Sequence, residues 1–169
     1  SLGDPGAGMN SDVRAIAVAP NGGGGTDVYA GGEFTQIFDG DTSFNSLHIG
    51  KWNGTSWSTV GNGLNAAVYA LAASPPELYV GGDFTAAGIV AANRIARWNG
   101  SVWSALGDGF NSIVLAVAVS GPDVYAGGCF TMSGDSTMNY IARWDGVNWS
   151  QLGGGMNGCV WGLNVVGPD

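Results

Sequence analysis

Short apolar runs alternate with clusters of Gly, Pro, Asn and Ser along the chain, most clearly in its second repeat. Runs of this kind between turn residues predict short strands. Four strands are predicted there, at residues 68–72, 78–82, 94–98 and 102–106. Ser74-Pro75-Pro76 ends the first strand because proline cannot continue a ladder. Asn99-Gly100 predicts a two-residue type I′ hairpin between the last two strands.

Three sequence markers return at a fixed spacing. Trp52, Trp98 and Trp144 are 46 residues apart, and each is followed five positions later by another Trp. The second marker is a Gly-Gly pair, at Gly31-Gly32, Gly81-Gly82 and Gly127-Gly128. The third is a Gly-x-Asn triplet, ending at Asn10, Asn65, Asn111 and Asn157. A repeat of about 40 to 50 residues with regularly placed Gly and aromatic residues is typical of β-propeller blades. The predicted fold class is therefore all-β, a β-propeller of four-stranded antiparallel blades.

The repeats divide the chain into three complete blades and two partial ones. We predict blades at residues 12–60, 61–106 and 107–152, with the end of a preceding blade and a connector at 1–11. Residues 153–169 supply the first strand of a further blade, at 160–166, and Ser1-Leu2-Gly3 resembles the tail of a fourth strand. The first blade is nine residues longer than the others, with the extra residues in loops, where insertions are tolerated.

The second repeat also carries a family resemblance. Tyr79-Val80-Gly81-Gly82-Asp83-Phe84-Thr85, then Ile95-Ala96-Arg97-Trp98-Asn99-Gly100, then Trp103 and Leu106-Gly107 are similar to kelch-type blades. They also resemble Rax2-like and related bacterial extracellular propeller repeats. The resemblance implies the fold over nearly the whole chain. It implies little about function, because propellers host many unrelated activities.

Composition and charge exclude several classes of protein. With 45% hydrophobic residues the chain is not a disordered polymer, despite its 31 glycines. No apolar run approaches the roughly 20 residues that span a bilayer, so we expect no membrane insertion, and no signal peptide is recognisable. A net charge of −8 with only five basic residues argues against a nucleic-acid partner. Few charges and many Ser, Thr, Asn and Gly residues are typical of secreted or cell-surface repeat proteins.

Three blades are too few to close a propeller, which typically needs four to eight. Exposed blade faces of that size do not persist in water, so something else must cover them. Either the chain is part of a longer one, or several chains assemble into a ring or a filament. A two-fold ring of six blades would leave the predicted strand at 160–166 redundant, whereas a head-to-tail arrangement could add that strand to a neighbour.

Cys129 and Cys159 are the only cysteines. Cys129 ends a predicted second strand and Cys159 begins the next blade's first strand, and antiparallel order places those ends at the same level. A disulfide between them fits an oxidising compartment. The alternative is two unrelated buried thiols, since free Cys packs as a small apolar residue.

An acidic residue follows Gly-Gly at Glu33 and Asp83, and a basic residue precedes Trp at Lys51, Arg97 and Arg143, while Cys129 replaces the acid in the third repeat. We expect an ion pair or a buried polar pair between the acid and the base within each blade. The alternative is a ring of carboxylates facing a ligand.

Three N-glycosylation sequons begin at Asn53, Asn99 and Asn148. The first two fall in predicted hairpin turns, where attachment is sterically feasible and where Asn-Gly is also explained by turn geometry alone. Two loops carry acidic residues, at Asp39-Gly40-Asp41 and Gly134-Asp135-Ser136. Neither matches an EF-hand loop, so we expect solvent-exposed loop tips rather than calcium sites. We predict no metal and no cofactor.

Catalysis is not expected. His48 is the sole histidine, at a position where the second repeat has Arg94, so no imidazole cluster can hold copper or zinc. The predicted function is a non-catalytic extracellular structural or binding scaffold, completed by further blades or other subunits, with a glycan as a further candidate partner. The alternatives are a carbohydrate-binding, lectin-like propeller using Phe38, Phe44 and Met138, or a glycan-active enzyme whose site lies on other blades.

Overall fold

The computed structural model describes residues 8–165, and within them every regular element is a strand. The first repeat contains β1 (Gly8–Met9), β2 (Val13–Pro20), β3 (Thr26–Gly32), β4 (Gln36–Asp39), β5 (Thr42–Asn45), β6 (Ile49–Trp52) and β7 (Trp57–Thr59). The second contains β8 (Val68–Ser74), β9 (Glu77–Gly82), β10 (Ala86–Ala87), β11 (Val90–Ala91), β12 (Ile95–Trp98) and β13 (Trp103–Ala105). The third contains β14 (Val114–Ser120), β15 (Asp123–Gly128), β16 (Met132–Ser133), β17 (Ser136–Thr137), β18 (Ile141–Trp144) and β19 (Trp149–Gln151).

Each repeat forms one antiparallel four-stranded sheet, which confirms the predicted all-β class and strand count per repeat. The sheet orders are β2-β3-β6-β7, β8-β9-β12-β13 and β14-β15-β18-β19. Between the second and third strand of each sheet lies a short hairpin, β4-β5, β10-β11 or β16-β17. No helix, and hence none that could cross a membrane, occurs in residues 8–165.

The three sheets lie side by side through their first strands, with β8 between β2 and β14. Two hydrophobic clusters fill the two sheet-to-sheet contacts. Phe34, Phe84 and Phe130, the aromatic residues after Gly-Gly, are fully buried. The apolar side chains of each repeat are thus shared with its neighbour.

At the Gly-Gly pairs, neighbouring segments of backbone and side chain approach the glycine Cα atoms closely. A Cβ on Gly31 or Gly81 would overlap the first-strand valine of the next sheet, Val68 or Val114. A Cβ on Gly127 would overlap Val160, in the segment that follows the third sheet. A Cβ on Gly32, Gly82 or Gly128 would overlap the backbone carbonyl of Asp12, Ala67 or Ile113 in the same sheet. A side chain at either position would therefore force two strands apart.

The asparagine of each of the first three Gly-x-Asn triplets ties the start of its repeat to the segment that follows that repeat's second strand. The Oδ1 of Asn65 accepts hydrogen bonds from the backbone amides of Thr85 and Ala86, and its Nδ2 donates to Thr85 Oγ1, all at 2.9–3.0 Å. Asn10 and Asn111 make the same three bonds to Thr35-Gln36 and Thr131-Met132. We call each such set an asparagine clasp.

The residues before Asn65 and Asn111 bind the preceding repeat. The backbone amide of Leu64 donates to Leu47 O, and that of Phe110 donates to Asn93 O, both at 3.0 Å. One triplet therefore holds the sheet behind it by its main chain and the sheet ahead of it by its asparagine side chain.

The tryptophans form tilted cross-strand pairs at the outer strands, with ring centroids 5.1 to 5.7 Å apart. Trp103 and Trp149 are buried and lie against Gly61 and Gly107, in the turns that close the preceding repeats. The Trp149 indole also donates to Leu106 O at 2.8 Å. These rings pack between repeats.

Three local expectations need correction or fall outside the description. Trp98 pairs with Trp103, so the hairpin has a four-residue loop rather than the predicted two-residue type I′ turn. Its Asn99 Oδ1 accepts the amides of Ser101 and Val102, and this side-chain acceptor is what holds the wider loop. The strand predicted at 160–166 is not formed in its described part, because residues 160–165 have no strand partner within residues 8–165. Its last residue, and the resemblance of Ser1-Leu2-Gly3 to a strand tail, lie outside residues 8–165.

Candidate binding site at the first-strand bulges

The first strand of every sheet carries a β-bulge at the same repeat position. The pairing register jumps between Val13 and Ala15, between Val68 and Ala70, and between Val114 and Ala116. The extra residues are Arg14, Tyr69 and Leu115. Because a bulge leaves its residue out of the ladder and re-aims its side chain, these three side chains are free to face a common space.

That space is an open hollow of about 420 Å³. Its lining comes from consecutive repeats: Arg14, Glu33, Tyr69, Ile113, Leu115 and Trp161. Trp161 holds the next equivalent position after Leu115 and is 75% exposed. The hollow therefore combines two aromatic rings and aliphatic side chains with one charged group on its first-repeat side, a composition typical of small-molecule sites.

The charged group is a three-residue network around Arg14. Its guanidinium donates to Glu33 Oε1 at 2.8 and 3.1 Å and lies 2.9 Å from Asp12 Oδ2. The hydrogen bond to Glu33, and the negative charges of Glu33 and Asp12, raise the pKa of Arg14 above its ordinary value. The network leaves carboxylate oxygens beside the aromatic rings, where they can accept hydrogen bonds from a ligand.

The predicted acid–base pairing was wrong in its partners. Lys51 binds Asp27 at 2.9 Å, Arg97 lies 3.5 Å from Glu77, and Arg143 binds Asp123 at 2.8 Å. Each base is opposite the middle of the second strand, as Lys51 is opposite Tyr29, so it reaches the acid at that strand's beginning. Glu33 and Asp83 lie past the other end of the strand and pair with Arg14 and Arg94 instead.

Cys129 and Cys159 form a disulfide, with Cα atoms 4.4 Å apart, so the alternative of two free thiols is wrong. Cys129 occupies the repeat position of Glu33 and Asp83. The bridge ties the start of the segment at 160–165 to the end of β15, next to the hollow.

The sequons lie on exposed loops. Asn53 and Asn99 use Oδ1 to accept backbone amides two and three residues ahead. In the third repeat Asp145 takes this role, and the amides of Val147 and Asn148 lower its pKa. Asn148 is exposed next to the buried Trp149. Glycosylation at the three asparagines stays a prediction.

The acidic residues of the two loops differ in their surroundings. Asp39 Oδ2 accepts the backbone amide of Trp57 at 3.0 Å, whereas Asp41 and Asp135 are exposed. Within residues 8–165, no three His, Cys, Asp or Glu side chains lie together as a metal site requires.

The equivalence of His48 and Arg94 holds in the backbone. His48, Arg94 and Tyr140 precede the third strands of their sheets, each with a left-handed φ of 65 to 73°. His48 therefore lies just outside the strand in which the sequence placed it. Its Nδ1 is 3.3 Å from Gly32 O.

The residues predicted to form a lectin surface do not converge. Met138 is buried. Phe44 pairs with Ile37, and Phe38 pairs with Ser43, so alternation places the two phenylalanines on opposite faces of the β4-β5 hairpin. Sequence reasoning missed the hollow instead. The only available signal was that Arg14, Tyr69, Leu115 and Trp161 occupy one repeat position.

No protein-family model matches the chain, and no curated protein matches it at a significant level. The resemblance to kelch-type and Rax2-like repeats therefore stays a prediction.

Proposed function

We propose that the protein is a non-catalytic extracellular structural or binding scaffold, built as part of a β-propeller of kelch-like blades. Its ring or array is completed by further blades or by other subunits. The disulfide supports an oxidising, extracellular location.

One observation carries the proposal. The valine that starts each first strand is fully buried when another sheet precedes it, as for Val68 and Val114, both 0% exposed. Val13 holds the same position in the first sheet and is 41% exposed, and Ile16 and Val18 beside it are more exposed still. Apolar residues that neighbouring sheets cover elsewhere in the molecule are thus left open here, and such a patch marks an interaction surface.

The test is the mass of the chain in solution as its concentration rises, measured by light scattering. The proposal predicts association above 17.1 kDa, weakened by Ile16→Lys, because a charge on this face must be desolvated on contact. Ile89→Lys is the matched control, since Ile89 is exposed on the β10-β11 turn. A chain that stays at 17.1 kDa at every concentration excludes completion by other copies. It contradicts the proposal as a whole if the denatured mass of the native protein is 17.1 kDa as well.

Carbohydrate binding is the second candidate, and the bulge hollow favours it. Tyr69 and Trp161 offer ring faces, and the Arg14–Glu33 pair offers charged hydrogen-bonding groups that suit hydroxyls. Titration with neutral mono- and disaccharides, followed by tryptophan fluorescence and calorimetry, tests this candidate. Binding that Trp161→Ala abolishes and Ile89→Ala preserves supports it. Binding that both variants retain, or no binding of any saccharide in the panel, contradicts it.

A further inference from the structure

We propose that residues 155–165, which form no strand within residues 8–165, are positioned to become the first strand and clasp of a fourth sheet. The partner that completes them is a further repeat whose Gly-Gly-x-Phe-Thr segment is not already held by a clasp. This inference rests on the proposed function, because it names the chemistry of the blade that would cover this end.

In the fourth Gly-x-Asn triplet, the main-chain bond to the preceding repeat is already in place. The Met156 amide donates to Asn139 O at 2.9 Å, as Leu64 and Phe110 donate to the equivalent carbonyls. Val160 lies over Gly127, and its amide donates to Gly128 O at 3.1 Å. The Cys129–Cys159 bridge adds a covalent anchor. The segment is therefore held in the position that β8 and β14 occupy in their own repeats.

The side of this segment that would contact a following sheet is uncovered. Met156 is 51% exposed, whereas Leu64 and Phe110 at the same position are 1% and 4% exposed. Within residues 8–165, Asn157 makes none of the three clasp bonds that Asn65 makes. Between this segment and the third sheet, a hollow of about 340 Å³ is lined by Tyr125, Ile141 and Leu163. Apolar side chains from a following sheet fill the equivalent space between the second and third sheets.

The three filled clasps favour a further repeat over a second copy of this chain as the partner. Thr35, Thr85 and Thr131 are already held by Asn10, Asn65 and Asn111. A second copy docking head-to-tail would have to release its own Asn10 and displace its own β2. A further repeat whose Phe-Thr segment is not bound by a clasp would need neither the release of an asparagine nor the displacement of a strand. The sequence Val165-Val166-Gly167-Pro168-Asp169 also matches Val119-Ser120-Gly121-Pro122-Asp123, which leads into the second strand of the third sheet.

The experiment supplies that repeat and asks whether Asn157 binds it. A copy of residues 78–106 is fused directly after Asp169, which corresponds to Glu77, and Asn157→Ala is made with and without this extension. We expect the extension to slow amide exchange of residues 160–165 at least tenfold. Asn157→Ala should lower the melting temperature by about 5 °C in the extended chain only, as a loss of three hydrogen bonds implies. Asn111→Ala, which breaks a filled clasp, should lower it in both backgrounds.

The inference is overturned if Asn157→Ala has the same effect in both backgrounds, or if the extension leaves exchange at 160–165 unchanged. Should the extended chain not fold, a peptide of residues 77–87 is titrated onto the unmodified chain by calorimetry. Binding that falls at least tenfold with Asn157→Ala, or with Thr85→Val in the peptide, supports the inference. Equal binding or no binding overturns it. The proposed function fails separately, through the solution mass of the unmodified chain.

Discussion

Asn65 and Thr85, twenty residues apart, exchange hydrogen bonds in both directions. The backbone amide of Thr85 donates to Asn65 Oδ1, and Asn65 Nδ2 donates to Thr85 Oγ1, each at 2.9 Å. A third bond joins Ala86 N to the same Oδ1 at 3.0 Å. The same geometry at Asn10 and Asn111 makes the clasp a structural unit of the repeat.

Asn65→Ala should lower the free energy of unfolding by about 2 kcal/mol, because three side-chain hydrogen bonds disappear and the site is accessible to water. Thr85→Val removes only the hydroxyl and should cost about 1 kcal/mol. Urea denaturation of the two variants checks this order. Equal costs would mean that the two backbone amides bound by Asn65 Oδ1 add nothing measurable to stability.

Gly81→Ala should destabilise by about 2 to 3 kcal/mol, because its Cβ would overlap Val114 across the contact between the second and third sheets. Val114→Ala makes room, so the double variant should be more stable than the sum of the two single costs. Gly22→Ala is the matched control, since a Cβ there meets nothing within 4 Å. Strictly additive costs in thermal melts would contradict the proposed contact.

Trp149→Phe should cost about 1 to 2 kcal/mol more than Trp103→Phe. The two indoles hold equivalent positions, but Trp149 Nε1 donates to Leu106 O, whereas Trp103 Nε1 is buried with no acceptor in residues 8–165. Removing the first leaves a carbonyl unpaired, and removing the second relieves a buried unpaired donor. Chemical denaturation of both variants measures the difference, and a larger loss for Trp103→Phe would reverse the assignment.

Lys51→Met should lower the free energy of unfolding by about 1 kcal/mol at neutral pH. The hydrogen bond from Lys51 holds the pKa of Asp27 below its ordinary 3.8 and raises that of Lys51 above 10.5. The contribution is therefore complete between these two values. It fades as pH falls below 3.8 toward the folded pKa of Asp27, and as pH rises through the folded pKa of Lys51.

Stability curves of the wild type and Lys51→Met from pH 2 to 8 should converge at the acid end. Arg97→Met serves as the comparison, with a smaller cost because its contact with Glu77 is longer, at 3.5 Å. A wild-type advantage that persists undiminished at pH 2 would show that Lys51 acts through packing.

The strands could be predicted because the same order of apolar runs, Gly-Gly and Trp occurs in all three repeats. Gly81-Gly82 and Trp98 mark the middle strands, and three copies remove the ambiguity that one short apolar run carries. The Cys129–Cys159 bridge followed from the same alignment, since it needs only the relative order of strand ends.

The site could not be predicted because it depends on geometry that the repeat pattern does not encode. The bulges at Arg14, Tyr69 and Leu115 add one residue on one strand only, and apolar alternation continues through them. The ion pair between Glu33 and Arg14 was missed for a related reason. The acid and base partners were chosen because both recur in the repeats, without regard to how far apart they lie along the strands.

The central claim is that these sheets do not stand alone, and the intact mass of one native sample tests it most directly. The sample is freed of N-glycans and weighed under denaturing and then native conditions. The account predicts either a denatured mass well above 17.1 kDa, because further blades belong to the same chain, or a native mass that is a multiple of a 17.1 kDa subunit. A mass of 17.1 kDa under both conditions would contradict it.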